Sequence, residues 1–437
     1  MYNKSCAFIV RWRLSGTSGV TWLYRKSDAP TILHPTMASE QPKPQYPGKL
    51  LQAAAIAKPF QEGISSEIQE RTAKSLPVPK LVGILAKPSP PSIAYAEWTG
   101  KACEAVGIKF EIWKTWEDTE ASIEELQNTP ESLQNFGLEA DVEDLILAAN
   151  RDKSVDGIMV YYPIFGGRQD TYLQQIVDPR KDVEGLNFFY CWNMYHNVRW
   201  LKPNHVGSAP GTTTESELQH RDGNVADDGN APPGFCKSIL PCTPLAVVKA
   251  LEAVGVYDPQ LPYGDRLKGK TVTVVNRSEV VGRPLAALLA NDGARVLSVD
   301  IDSILEFSKR REDEPESNEL SGLPKSRKVV EAHKENSSVR LRSSHLVRAC
   351  VYNDSESCIR ESDVVIGGVP AASFKIPTAW IKENAVCINF SSEKNFESDV
   401  RSRASAYLPT VCKITGSMLQ RNLLRLVEYK ETAAAAQ

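Results

Sequence analysis

The sequence predicts an α/β protein of more than one domain, one of them Rossmann-like. Three observations carry this. Short aliphatic or β-branched runs alternate with helix-length segments along the chain, as in LVGIL at Leu81–Leu85, VDGIMVYY at Val155–Tyr162, DVVIG at Asp363–Gly367 and AVCINF at Ala385–Phe390. Such alternation calls for parallel strands covered by helices. The chain has 437 residues, long enough for two or three domains. Lys270–Asp300 is by itself a complete strand–turn–helix–strand unit.

Taken in order, Lys49 to about Ala73 reads as a helix and Leu81–Leu85 as a strand ended by Pro88, Pro90 and Pro91, with Ser92 as N-cap of the next helix. Phe110–Trp113 is a strand, Glu139–Asn150 a helix and Val155–Tyr162 a buried strand. Pro163–Gly167 breaks the pattern before a short helix at Asp170–Ile176, and Pro179–Asn187 is a charged loop. Residues 203–235, rich in Gly, Pro, Asn, Asp and Thr, read as a polar surface insertion. Thr243-Pro244 precedes a helix.

Thr271–Val275 is then the first strand of the unit, Asn276–Gly282 its turn, and Pro284 sits where a first helical turn tolerates a missing N–H. Leu285, Leu288 and Leu289 recur at helical spacing until Asn291-Asp292-Gly293, and Arg295–Val299 is the second strand. Residues 307–345 form a second polar insertion, and Ile414–Tyr429 an amphipathic helix expected to return to the first domain. The division is an extension at 1–44, a first domain at 45–245, a second at 246–412 and the returning helix at 413–437.

Composition narrows the function. A net charge of −3 without a basic run argues against nucleic acid, and no run of about 18 apolar residues suggests a membrane span. Nine cysteines without CxxC spacing and six scattered histidines offer neither a disulfide framework nor a metal site, so a reducing compartment is expected. Residues 1–36 carry Lys4, Arg11, Arg13, Arg25 and Lys26 against Asp28. They read either as a mitochondrial transit segment or, preferred here, as an extension upstream of an ordinary start at Met37, which makes the expected location cytoplasmic.

The turn Asn276–Gly282 is not a full GxGxxG, because Asn276 stands where a first glycine is expected. The helix it opens still offers N–H groups and a positive dipole end to a pyrophosphate. Asp300 ends the second strand eighteen positions after Gly282, close to where an NAD-binding unit places a carboxylate for the ribose 2′-OH. That carboxylate repels the 2′-phosphate of NADP, and no Arg or Lys immediately follows it. The expected cofactor is NAD, held by Asn276, Arg277, Ser278, Gly282, Asp300 and Ile301 and by the turn Gly368, Val369 and Pro370.

Four further spots hold polar groups beside strand ends or helix starts: Ser92/Tyr95, Tyr161-Tyr162-Pro163, Lys181-Asp182-Val183-Glu184-Gly185 and Pro241-Cys242-Thr243-Pro244. Each alone has a structural explanation. In this order, the S-x-x-Y helix, the G-I-M-V-x-x-P strand, K-D-V-E-G, P-C-T-P and N-R-S-x-x-V-G-R-P resemble the methylenetetrahydrofolate dehydrogenase/cyclohydrolase family over about residues 45–430 apart from the insertions. The resemblance implies a folate domain and a nucleotide domain around a cleft, a homodimer, and hydride transfer from the methylene carbon of the folate to the nicotinamide. It implies that Tyr95 and Tyr161 shape and stack on the folate and that Glu184 orients it. Cys242 is a candidate active-site residue, with a buried structural thiol the equal alternative.

The departures are as informative. Bifunctional members carry a lysine four positions after the helical tyrosine, where this chain has Thr99, and a glutamine where it has Tyr161. Tyr95 and residue 99 lie about 40° apart around a helix, whereas Lys101 sits roughly 240° round and cannot stand in. A threonine hydroxyl is a poor proton carrier near neutral pH. Leu245 replaces a glycine, Val411-Cys412-Lys413-Ile414-Thr415 replaces V-G-P-M-T, and Asp300-Ile301-Asp302 stands where NADP-using members place small polar or basic groups. These departures match a monofunctional, NAD-dependent branch. The alternatives are a bifunctional NADP enzyme and a non-enzymatic nucleotide-binding member.

Overall fold

The computed structural model describes residues 47–87, 89–117, 138–208, 231–310 and 344–435. The extension 1–44 and most of the insertions 203–235 and 307–345 lie outside the described residues.

The first half is a parallel three-stranded sheet in the order β3-β2-β4, formed by β2 (Lys80–Leu85), β3 (Lys109–Lys114) and β4 (Gly157–Val160). It is covered by α1 (Ala53–Ala73), α2 (Pro90–Val106), α3 (Leu138–Arg151) and α4 (Arg168–Ile176). An isolated parallel bridge, Ile158 to Asp182, continues this sheet past β4. A further helix, α5 (Phe188–Tyr195), and a two-stranded ribbon of β5 (Trp200–Leu201) and β6 (Cys236–Lys237) lead to α6 (Cys242–Ala253). A boundary at 245 therefore falls inside α6.

The second half is an eight-stranded sheet in the order β1-β13-β12-β11-β7-β8-β9-β10. Its parallel part comprises β1 (Lys49–Leu50), β13 (Ala406–Leu408), β12 (Val386–Asn389), β11 (Val364–Gly367), β7 (Thr271–Val275) and β8 (Arg295–Val299). Between the strands run α7 (Gly282–Asn291) and α8 (Ser355–Glu361), and the chain ends in α9 (Cys412–Ala435). The strand register aligns runs such as Val272, Val274, Val364 and Ile366, all fully buried, as a parallel sheet covered on both faces requires.

Three expectations need correction. Lys49–Leu50 is not the start of a helix but a strand beside β13, and α1 begins only at Ala53. Pairing with an open sheet edge outweighed the local helical pattern. The N-cap of α2 is Ser89, not Ser92: the Ser89 side chain accepts the Ser92 N–H, and Pro90 opens the helix, where a missing N–H costs nothing. The second insertion is shorter than 307–345 at both margins. β9 (Ile304–Lys309) and β10 (His345–Ala349) pair antiparallel and extend the sheet, with Phe307 and His345 buried.

α9 packs on α1 and α6, and it buries Ile414, Met418, Leu419, Leu423, Leu424, Leu426 and Val427. At roughly 1.5–3 kcal/mol for each fully buried aliphatic side chain, this stripe holds the helix down. The polar residues on the same face are therefore not needed to dock it.

Candidate active site

The first candidate residues lie on α2. Tyr95 and Thr99 share a face, and the Thr99 hydroxyl, buried, donates back to Tyr95 O at 2.9 Å. Lys101 is exposed on another face. The Tyr95 ring stacks on Trp98 (centroids 5.8 Å apart) and meets the Tyr161 ring edge-on at 5.7 Å. Tyr161 directly follows β4. Its hydroxyl is buried without a hydrogen-bond partner among the described residues, since Thr99, though close, stops short of bonding geometry. Burial pushes this phenol well above its ordinary range, so it stays neutral.

The loop after β4 presents the acid. Lys181 Nζ donates to Ala149 O (2.8 Å) and Asp152 O (2.6 Å), closing the end of α3. The Asp182 carboxylate accepts the backbone N–H groups of Glu184, Gly185 and Asn187 at 3.0, 2.9 and 2.7 Å. Both residues build the loop that carries Glu184. Its carboxyl accepts the Val160 N–H at 3.0 Å, and desolvation, with a smaller push from the Asp182 charge, raises it to about 8. Gly185 (φ 71°) lets the loop lie directly on the chain entering α6, because a Cβ there would meet Leu240 C and Pro241 N at 2.9 Å.

Cys242 opens α6 against this loop. Its N–H donates to Glu184 O at 3.3 Å and its thiol to Val183 O at 3.1 Å. Burial first, then the charges of Glu184 and Asp182, push the thiol far up, the reverse of what a reactive thiolate needs. The geometry makes Cys242 a hydrogen-bond donor to the loop that carries Glu184. Leu245 and Val411 pack into the core, and Cys412 starts α9.

The nucleotide crevice opens beyond the C-terminal ends of β7 and β11, where the strand order reverses. Asn276 adopts φ 87°, taking the left-handed conformation of the missing glycine, and its side chain donates to Gly368 O at 2.6 Å across the crevice. Gly282 is obligatory, since a Cβ would lie 1.9 Å from Asn276 O. Ser278 Oγ accepts the Val281 and Gly282 N–H groups, and Arg277 donates to Ser303 O and Oγ. Val369 is pinned by Asn395 on both its N–H and its carbonyl, with Pro370 following. Asp300 directly follows β8, with one carboxylate oxygen on the Ile301 N–H, and Ile301 is 75% exposed. A glycine with no room for a Cβ, a helix start and a carboxylate one strand away fit a dinucleotide whose ribose carries no 2′-phosphate.

Sequence reasoning missed the elements that join the two groups. Cys191 on α5 contacts Leu186 O, Asn291 on α7 donates to Met194 O at 3.2 Å, and the Arg283 guanidinium lies over the Tyr195 ring. It also missed Asn422 on α9, which contacts Val183, Leu240 and Cys242. The signals were present as an aromatic run after an Asn cap and a lone Asn on an apolar helix face.

Residues 51–184 match the catalytic domain of tetrahydrofolate dehydrogenase/cyclohydrolase, and residues 241–312 match its NAD(P)-binding domain. Relatives include methylenetetrahydrofolate dehydrogenase [NAD(+)] of Saccharomyces cerevisiae, 40% identical over 88% of this chain and 98% of that protein. The Schizosaccharomyces pombe protein of the same name is 38% identical over 89% and 96%. The solved structure of the NAD-dependent 5,10-methylenetetrahydrofolate dehydrogenase from Saccharomyces cerevisiae superposes with a TM-score of 0.66 over 88% of this chain and 98% of that one. With this similarity along nearly the whole length of its relatives, the chain belongs to the tetrahydrofolate dehydrogenase/cyclohydrolase family.

Proposed function

We propose that the protein oxidises 5,10-methylenetetrahydrofolate to the 5,10-methenyl form with NAD, and that it lacks cyclohydrolase activity. The bond that breaks is the C–H of a carbon flanked by two nitrogens, which stabilise the resulting cation themselves. The bound NAD supplies the hydride acceptor. The protein's task is then to position donor and acceptor and to shape the field around them. Tyr95 and Tyr161 form an aromatic corner for the folate. Glu184, on a loop fixed by Asp182, offers its carboxyl to the N–H groups of the pterin.

The observation that carries the cyclohydrolase-free reading is Thr99. Its hydroxyl is buried and turned back onto Tyr95 O, and the neighbouring wall is the neutral phenol of Tyr161. Neither group is suited to carry protons for water attack near neutral pH. The test is an oxidation assay run with each cofactor while methenyl hydrolysis is followed in the same sample. NADH formation without hydrolysis above the uncatalysed rate is expected; preference for NADP with brisk hydrolysis overturns the reading. Thr99→Lys alone is expected to leave hydrolysis absent because Tyr161 still fills the partner position, and robust hydrolysis by it would refute the account of this pair. The same reading takes the protein to be a cytoplasmic homodimer, which sedimentation and localisation of the full chain test directly.

A further inference from the structure

We propose that Asn422, on the C-terminal helix, is a positioning residue for Glu184 and so tunes recognition of the folate from outside the cleft. This rests on the proposed dehydrogenase reading. Asn422 is fully buried, and its Nδ2 donates to Val183 O at 2.9 Å and to Leu240 O at 3.0 Å, with Cys242 Sγ at 3.5 Å. It therefore bridges the residue just before Glu184 to the segment entering α6. Cys242 doubles the clamp, its thiol on Val183 O and its N–H on Glu184 O. The two acceptors come from segments more than fifty residues apart in sequence, and neither is in regular structure. The amide nitrogen reaches both from a third element, the C-terminal helix.

The other end of this side chain makes the point sharper. Asn422 Oδ1 is buried with no hydrogen-bond partner among the described residues, which is unfavourable. An apolar residue would avoid that cost on a helix already docked by its aliphatic stripe. An amide at this position is explained by what its nitrogen holds. Because the Glu184 carboxyl is rooted in the held loop and accepts the Val160 N–H, a shift at Val183 moves the acid relative to the pterin. The titratable groups facing Glu184 are Asp182 on its own loop, Tyr161 and Tyr162 after β4, and Cys242 on α6. Tyr161, Tyr162 and Cys242 are pushed up by burial, and the Asp182 carboxyl is raised to about 6. The half-buried, desolvated setting of the acid depends on the loop staying seated.

The test is steady-state kinetics of the full chain with NAD and methylenetetrahydrofolate across pH. Asn422→Leu, nearly isosteric, is expected to raise KM for the folate by roughly tenfold, as loss of one hydrogen bond to an organising group does, with KM for NAD little changed. It should also move the pH limb of kcat/KM for the folate downward, because water reaching the loosened loop returns Glu184 toward its ordinary value. Cys242→Val should do the same more weakly, and Cys242→Ser, which keeps a donor, less than Cys242→Val; this pair decides the matter if Asn422→Leu does not fold. Unchanged folate KM and pH limb, or equal rises in both KM values, would overturn the proposal. A wild-type protein that forms no NADH from the folate would instead overturn the dehydrogenase reading, and this inference with it.

Discussion

On the proposed nucleotide side, the candidate residues come from one continuous stretch, Asn276 to Ile301, and one turn, Gly368 to Pro370. On the proposed folate side they come from α2, the end of β4 and the loop at 181–187, segments spread from Tyr95 to Glu184, with α6 and α9 holding that loop from behind. The first is built largely from backbone: a strand end, a crossing that admits no Cβ at Gly282, and a helix start. The second is built from side chains. This explains why the departures differ in consequence. Asn276 replaces a glycine and recovers its conformation, leaving the crevice intact. Thr99 puts a hydroxyl, turned back onto Tyr95 O, where bifunctional members carry an amine, and on the proposed reading no backbone adjustment makes up for that.

If the nucleotide side is a backbone device, the most damaging change there adds one carbon. Gly282→Ala, driven into Asn276 O, is expected to lower kcat/KM for NAD by about 100-fold, roughly 2.7 kcal/mol, while folate binding measured at equilibrium stays near wild type. Retained NAD use would show that the crevice tolerates the carbon and would break the contrast.

The folate side should respond to a side chain's charge instead. Glu184→Gln is expected to raise KM for the folate by roughly tenfold, in the range for one hydrogen bond to a charged group. In the wild type, pterin N–H donors favour the ionised acid, so kcat/KM for the folate should climb with pH until about 8 and then level, and the substitution should erase that limb. Stability should move the other way. The folded protein holds this proton up to about 8 while the unfolded chain releases it near 4.5. Its contribution is therefore full below 4.5 and is lost as pH rises to about 8. Glu184→Gln should flatten that decline in denaturant titrations, and an unchanged slope would mean that Glu184 is not the group responsible.

The smallest effect is expected at the rim of the nucleotide crevice. Asp300→Ser removes the carboxylate that opposes a 2′-phosphate and should relax discrimination against NADP several-fold, with Arg277 close by to receive the added charge. An unaltered preference in the cofactor-resolved assay would take Asp300 out of the ribose site.

Legibility followed the same division. β7 and β8 were readable to the residue, because a strand buried on both faces leaves a compact β-branched and aliphatic run bounded by polar residues. The Ser89 cap was misplaced because three nearby prolines read as a stop, when one of them starts the helix. The strand at Lys49–Leu50 was invisible, since two residues carry no pattern and their partner lies at Ala406–Tyr407. The margins at Phe307 and His345 were lost for a related reason: polar sequence between two hairpin arms masked the pairing of the arms.

From residue order alone came the α/β class, the strand–turn–helix–strand unit with its terminal acid, and Thr99, the residue on which the proposed absence of hydrolysis rests. Those are properties of local periodicity and of single side chains at known spacing, which survive without knowledge of neighbours. Only the folded chain decided that Cys242 is a neutral donor, that Glu184 is raised by burial, and that Asn422 reaches Val183 and Leu240 from the last helix. Desolvation and long-range hydrogen bonds depend on which distant segments close over a group, and that is settled by packing.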